Sequence, residues 1–224
     1  MNILVIGASR GLGLEFVAQY RGDGATVTAT ARTDDGLARL RALGATALQL
    51  DVADAASAAG LSAQIAGQTF DVAIVNAGVY GPRTQGLVTP AQAEFDDVMH
   101  TNVLGPMRVL PQILAALAPG ARLAVLSSQM GSMAGRSTNA GWLYRASKAA
   151  LNSVLTDTAL ALAQQAGGAL CVALHPGWVR TDMGGSNADL TPARSVADMR
   201  GTLAALTPEQ HGAFFNHDGT PLPW

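Results

Sequence analysis

The stretch of this chain best suited to chemistry is Trp142-Leu143-Tyr144-Arg145-Ala146-Ser147-Lys148-Ala149-Ala150-Leu151. From Ala149 to Leu162 there is no Gly or Pro, and Leu151, Leu155 and Leu162 fall close to a helical period, so the segment reads as a helix. Tyr144 and Lys148, four positions apart, then share one face of it. A phenol beside an ammonium can do acid–base work. The positive charge favours phenolate over phenol and so lowers a pKa that starts near ~10. A tyrosine tuned that way gives or takes a proton near neutral pH. On its own the pair fits a solvated helix face equally well, so the chemistry needs a cofactor, further polar groups and a scaffold that gathers them.

Alternating strands and helices provide that scaffold. Asn2 to Ile6 is an apolar, strand-like run, followed by the loop Gly7 to Gly13 and a helix that Gly22 and Gly24 stop. Ala25 to Ala31 is rich in β-branched residues and forms a second strand, and Ala45 to Leu50 a third, with a helix around Leu37 to Leu43 between them. Asp54 caps a helix to about Ala66, and Phe70 to Val75 is the fourth strand. Thr89-Pro90-Ala91-Gln92 supplies a cap, a first-position Pro and a capping-box Gln for a long helix to Leu117, bent near Gly105-Pro106 and Pro111. Arg122 to Ser127 is the fifth strand, and a polar, Gly-rich segment then leads from Ser127 to Gly141. Ala169 to Leu174 is the sixth strand. The loop Val179 to Asp189, a helix from Thr191-Pro192 to about Leu206 and an edge strand at Ala213 to Asn216 follow. This order predicts βαβ units, a parallel sheet and a single α/β domain over residues 1–224.

Composition narrows the function. Apolar residues make up 49% of the chain and charged residues 13%, with a formal net charge of −2 and no basic run, which excludes nucleic acid and anionic membrane as expected partners. Cys171, the only cysteine, lies in the apolar run Ala169 to Leu174, so no intrachain disulfide or cysteine-rich metal site is possible and a buried, inert thiol is expected. His100, His211 and His217 lack metal-ligand spacing, and no metal is expected. There is no signal-peptide layout and no membrane-length apolar stretch, so the expected location is cytoplasmic.

Gly7-x-x-x-Gly11-x-Gly13 lies between the first strand and the first helix, where a dinucleotide-binding turn belongs. Glycines there allow a tight turn and let backbone N–H groups, including those around Ser9, Arg10 and Leu12, approach a pyrophosphate. The second strand ends at Thr30-Ala31-Arg32 without the carboxylate that would bind a ribose 2′-hydroxyl. Arg32 instead offers a charged fork to a 2′-phosphate, and Arg10 reaches toward it from the loop, which points to NADP(H).

Taken together these residues resemble the short-chain dehydrogenase/reductase family over nearly the whole chain. The glycine motif is similar to that family's, except that Ile6 stands where a Thr is common. The resemblance implies a doubly wound Rossmann sheet of about seven strands in the order 3-2-1-4-5-6-7. It also assigns roles. Asp51-Val52 would contact the adenine, and Asn76-Ala77-Gly78 would steady the sheet beside the adenosine ribose. Asn102 would hold a proton-relay water. Ser128 would bind the substrate oxygen, Ser132 being its rival. Tyr144 would be the acid/base, and Lys148 would lower its pKa and bind the nicotinamide ribose. Pro176-Gly177, Val179 and Thr181 would fix the carboxamide. The wording Y-R-A-S-K-A-A-L-N, H-P-G-W-V-R-T-D-M-G-G and D-G-T-P-L-P-W is similar to a branch containing carbonyl reductases and C-factor-like signalling proteins.

Two functions follow as expectations: an NADPH-dependent reductase of ketones or aldehydes, reversible with the alcohol, or a C-factor-like regulatory protein that binds the dinucleotide without turnover. The phenol favours the enzyme, since a binder needs none. An extended sugar-nucleotide epimerase is disfavoured by the glycine spacing and by the short stretch after the sixth strand. Selectivity is expected in a small loop region at about 183–205 and in Gly131 to Gly141, with an open pocket for bulky carbonyls. The family implies a homodimer or homotetramer paired through the helices of Thr89 to Leu117 and Leu143 to Gln165.

Overall fold

A computed structural model describes all 224 residues. Seven strands form one wholly parallel sheet: β1 (Asn2–Ile6), β2 (Thr26–Ala31), β3 (Thr46–Gln49), β4 (Phe70–Val75), β5 (Leu117–Leu126), β6 (Leu170–His175) and β7 (Phe214–Asn216). Their order is β3-β2-β1-β4-β5-β6-β7. The chain reverses direction across the sheet between β1 and β4, and such a switch point opens a crevice at the carboxyl ends of the strands. β1, β4 and β6 are apolar nearly throughout because both of their faces are covered.

Helices α1 (Gly11–Gly22), α2 (Asp34–Ala42) and α8 (Pro192–Ala204) cover one face, burying Phe16, Leu40, Val196 and Met199 against Ile3, Val5 and Val172. The short helices α3 (Ala55–Ala59) and α4 (Leu61–Gln64), with α6 (Gly105–Leu114) and α7 (Trp142–Ala163), cover the other, where Leu61, Ile113 and Leu155 meet Leu4, Phe70 and Leu123. Cys171 lies in this second core, and burial pushes its thiol up to about 12, which keeps it protonated. No helix is long and apolar enough to cross a membrane.

Several local expectations shift. The long helix begins at α5 (Gln92–Met99), where Ala91 is the cap and Glu94 accepts from the Ala91 N–H at 2.8 Å, rather than at Thr89 with Gln92. The expected bend is a π-helical turn over His100–Leu104. Pro106 lies just beyond it, and its missing N–H leaves the Asn102 carbonyl four residues back without an α-helical donor. β5 starts at Leu117, and its register with β4 slips between Phe70 and Val72 because Pro119 and Gly120 interrupt it. Of the region 183–205, only the part before Pro192 is loop; the remainder is α8, packed on the sheet through Ser195, Val196, Met199 and Leu203.

Candidate active site

The crevice at the switch point is a cleft whose floor is the end of β1 and β4. Gly7, Ser9, Arg10, Gly11 and Leu12 line one part of it, Ala31, Arg32, Leu50, Asp51 and Val52 a second, and Asn76, Ala77, Gly78 and Val79 a third. Thr101, Thr181, Asp182 and Met183 close it from above. Among the residues expected to hold a dinucleotide, Gly13, Tyr144, Lys148, Pro176, Gly177 and Val179 lie outside this lining. Gly13 is instead a packing residue: a Cβ there would collide with the Gly7 carbonyl and stand 2.7 Å from Asn76 Nδ2. Gly177, at φ +80, is wedged against Leu190 and His217, and Val179 is buried in a bridge to Leu190.

The glycine loop is held from three sides. The Gly7 N–H donates to the Thr30 hydroxyl at 2.9 Å, supplying from β2 the hydroxyl that Ile6 lacks. The Asn76 amide donates to the Gly7 carbonyl at 2.5 Å. Gly7 itself, at φ +83, leaves no room for a side chain, since a Cβ would stand 2.7 Å from the Ala77 Cα. The loop thus delivers the start of α1 to the cleft with no side chain capping it. Its first N–H groups carry the helix's partial positive charge and suit a pyrophosphate. By contrast Thr33 caps α2 and Asp54 caps α3. The Thr101 hydroxyl, buried in the cleft wall, has no protein partner. A bare helix N-terminus, an orphan hydroxyl and a row of strand ends fit a dinucleotide. Around the 2′-position, Arg32 is exposed, Arg39 donates to the Ser9 carbonyl at 3.2 Å, and Arg10 pairs with Asp182 at 2.8 Å.

Beyond Gly78 the cleft meets α7. A Cβ on Gly78 would stand 3.3 Å from Asn102 Oδ1 and 3.6 Å from Lys148 Nζ, so the glycine leaves that corner open. Lys148 is buried and donates to the Leu126 carbonyl at 2.9 Å. Burial lowers its pKa to about 8. Tyr144, one turn earlier, is only 7% exposed. Burial pushes its phenol up to about 12, the Ser128 hydroxyl beside it opposes the rise, and Tyr80 adds to it. The expected lowering by Lys148 is not found: the only group that lowers the phenol is Ser128, and desolvation sets the direction.

Ser128, two residues past the end of β5, faces this phenol, and its Oγ accepts from the Met130 N–H at 3.1 Å. Ser132 is committed elsewhere: it donates to the Trp224 carbonyl at 3.0 Å and accepts from the Gly135 N–H at 2.9 Å. Ser127 points to the other side and pairs with Asn152. Asn102, wholly buried on the π-helical turn, accepts from the Val79 N–H and donates to the Val79 carbonyl, both at 2.8 Å, and to the Ser147 hydroxyl at 2.9 Å. Both amide hydrogens are spent, so its side chain ties the strand β4 exit to α7. Its backbone carbonyl is the group that Pro106 deprives of an α-helical donor. Ser147 continues the chain to the Tyr144 carbonyl at 2.8 Å. His175, buried at the end of β6, has its pKa lowered to about 4 by burial and by His217 and is neutral at pH 7.

Three residues that shape this site have no role legible in the sequence. Tyr80 stacks on Tyr144, Ser147 bridges Asn102 to α7, and Gly131 lets the turn Gln129–Gly131 lie against the Lys148 backbone, where a Cβ would stand 2.8 Å from its carbonyl carbon. The Tyr80 ring lies face to face with the Tyr144 ring and forms one wall beside the phenol.

A family model described as short chain dehydrogenase matches residues 1–190. The chain belongs to the short-chain dehydrogenase family. The C-signal of Myxococcus xanthus is 40% identical over 159 residues, covering 69% of this chain and 92% of that protein. Among solved structures, a short-chain dehydrogenase/reductase from Burkholderia multivorans with bound NADP superposes with a TM-score of 0.90 at 32% identity, covering 100% and 99% of the two chains. The carbonyl reductase Sniffer of D. melanogaster gives the same TM-score of 0.90 at 31% identity, again over 100% and 99%. Members of this oxidoreductase family work with a nicotinamide cofactor, and in this one the cleft leads directly to the corner shared by Gly78, Asn102 and Lys148.

Proposed function

We propose that the protein is an NADPH-dependent reductase of ketones or aldehydes, reversible with the alcohol, in which Tyr144 is the general acid/base. The observation that carries this reading is the burial of the Tyr144 phenol against the Ser128 hydroxyl, with the Lys148 ammonium on the same helix face and Gly78 of the cleft beside it. Those groups have no use in a protein that only binds a dinucleotide.

The first turn of α1 would hold the pyrophosphate and Arg10, Arg32 and Arg39 the 2′-phosphate, with Asp51 and Val52 at the adenine and Asn76, Ala77 and Gly78 along the ribose. Thr181 and the backbone at Val179 would meet the carboxamide, and the loop ahead of Pro192 would border the substrate. When bound, such a cofactor supplies a hydride to the carbonyl carbon. Tyr144 Oη then gives its proton to the carbonyl oxygen, and the C=O becomes CH–OH. Ser128 Oγ donates to that oxygen as charge develops on it. Lys148, still protonated at neutral pH, stabilises the phenolate left behind. Asn102 is a positioning residue that fixes α7 relative to Val79. Pairing between subunits belongs to the same proposal, and Phe95 and Met107, 43% and 51% exposed, lie on the helices it would use.

A second reading, a regulatory dinucleotide-binding protein, has the likeness to C-signal behind it. NADPH and NADH oxidation with a panel of carbonyls separates the two. Turnover with NADPH that falls by about 10² or more in Tyr144→Phe, with NADPH binding retained, is the expected result. Retained binding with no turnover on any carbonyl would favour the regulatory protein, and a preference for NADH would overturn the arginine assignment.

A further inference from the structure

Tyr80 belongs to no motif read from the sequence, yet it stacks on Tyr144 with ring centroids 4.6 Å apart and 22° between the planes. Rings this close are in contact, so nothing fits between them. The hydroxyl end of Tyr80 reaches Gly141, whose φ of +67 and missing side chain make the contact possible: a Cβ there would stand 2.5 Å from the Tyr80 oxygen and 3.2 Å from Met130 Cε. The ring therefore spans from the exit of β4 to the gap between the Ser128 turn and the start of α7.

The segment carrying Tyr80 is fastened at both ends of that span. The Arg83 guanidinium lies 4.9 Å from the Tyr80 ring centre and donates to the Met183 carbonyl in the loop above the cleft. The Gly141 N–H donates to the Thr84 carbonyl at 3.2 Å, and the Trp142 indole to the Val88 carbonyl at 2.8 Å. The dinucleotide cleft ends at Val79, one residue before Tyr80. A carbonyl that reaches Tyr144 and Ser128 has the cleft on one side and this aromatic wall on the other.

We propose that Tyr80 is a specificity-determining residue whose ring limits the width of the space beside the reacting carbonyl, admitting flat groups and rejecting branched ones. The proposal rests on Tyr144 being the acid of the reaction. A flat group slides along the face or edge of a ring and keeps contact with it. A branched group must displace a ring that is held by stacking on Tyr144 and by Arg83, itself latched to the Met183 carbonyl.

The test compares kcat/KM for benzaldehyde and for 2,2-dimethylpropanal at saturating NADPH. The wild type should favour the flat aldehyde, and Tyr80→Ala should shift the ratio toward the branched one by about tenfold or more, as expected for opening a hydrophobic wall by several carbons. Tyr80→Phe should keep the wild-type ratio, because the ring and not the hydroxyl forms the wall. An unchanged ratio in Tyr80→Ala, or an equal shift in Tyr80→Phe, overturns the proposal. NADPH binding checks that each variant is folded, and Tyr80→Leu replaces any that fails, with an intermediate shift expected. If the wild type reduces neither aldehyde, the wall is tested with benzamide and 2,2-dimethylpropanamide binding to the NADP-loaded protein by NMR, and the reading of Tyr144 falls only if no carbonyl of the panel is turned over. A preference for the flat amide that Tyr80→Ala removes supports the wall, and no preference overturns it.

Discussion

Lys148 Nζ stands 5.8 Å from the centre of the Tyr144 ring and gives a hydrogen bond to the Leu126 carbonyl. Both groups are buried, and burial moves their pKa values in opposite directions, Tyr144 up to about 12 and Lys148 down to about 8. Each shift favours the neutral form of its group, as desolvation requires. At neutral pH the tyrosine therefore holds its proton and the lysine still holds most of its charge. That is the combination a carbonyl reduction needs.

The pH profile follows from those two directions. At saturating NADPH, kcat/KM for the carbonyl should be flat from about pH 6 to about 7 and fall through about pH 8 as Lys148 loses its proton. Tyr144 remains protonated throughout that range. Lys148→Arg, charged at every accessible pH, should push the falling limb upward if the variant turns over. A wild-type profile that stays flat to pH 10 would remove Lys148 from the chemistry.

The same burial has a stability consequence. The folded Lys148 pKa of about 8 lies below its ordinary 10.5, so between those values the unfolded chain binds more protons and stability rises with pH. Below pH 8 the full penalty is present, on the order of 3 kcal/mol. Lys148→Met removes it and loses one charged hydrogen bond to Leu126, worth about 1.5–3 kcal/mol. At pH 7 the variant should be inactive yet more stable by about 1 kcal/mol, with Tm raised by about 3 °C. The gain should disappear above pH 10.5. Scanning calorimetry of the cofactor-free protein at both pH values checks it.

Asn102 and Ser147 should behave as one unit. Asn102→Leu leaves the Val79 N–H and carbonyl without partners and should cost about 2–4 kcal/mol. Ser147→Ala should cost about 1 kcal/mol, and the double variant less than the sum, because the two side chains share a bond. Urea unfolding of the four proteins measures this. An additive result would show that the shared bond contributes nothing.

What was legible in the sequence depended on how far each residue acts through its chain neighbours. β1 and β4 stand out because strands covered on both faces are short apolar runs, and the glycine loop follows one of them directly. Tyr144 and Lys148 are legible because helical spacing alone sets them on one face. Their electrostatics were not, since the spacing says nothing of burial. The π-helical turn is hidden for a similar reason: Pro106 announces a lost hydrogen bond but not how the chain accommodates it. Pro119 and Gly120 interrupt the start of β5, so its strand pattern is legible only from Arg122. Tyr80, Ser147 and Gly131 act on residues 64, 45 and 17 positions away (144 − 80, 147 − 102 and 148 − 131), so no local pattern marks them.

Two glycines should respond oppositely to the same change. A Cβ on Gly131 would stand 2.8 Å from the Lys148 carbonyl carbon and 2.9 Å from its Cβ and oxygen, and the helix backbone cannot yield. In Gly131→Ala the turn must lift away from α7, taking Ser128 with it. The variant should lose about 1–3 kcal/mol of stability. Its kcat should fall by at least about tenfold, because a small displacement of the oxygen-binding serine is costly. Gly201 is exposed within α8, with nothing within 4 Å of an added Cβ. Gly201→Ala should gain about 0.5–1 kcal/mol from the helix alone and leave kcat unchanged. Urea unfolding and turnover of the two variants decide the matter. If Gly131→Ala were as stable and as active as Gly201→Ala, the turn after β5 would not be what sets Ser128 against Tyr144.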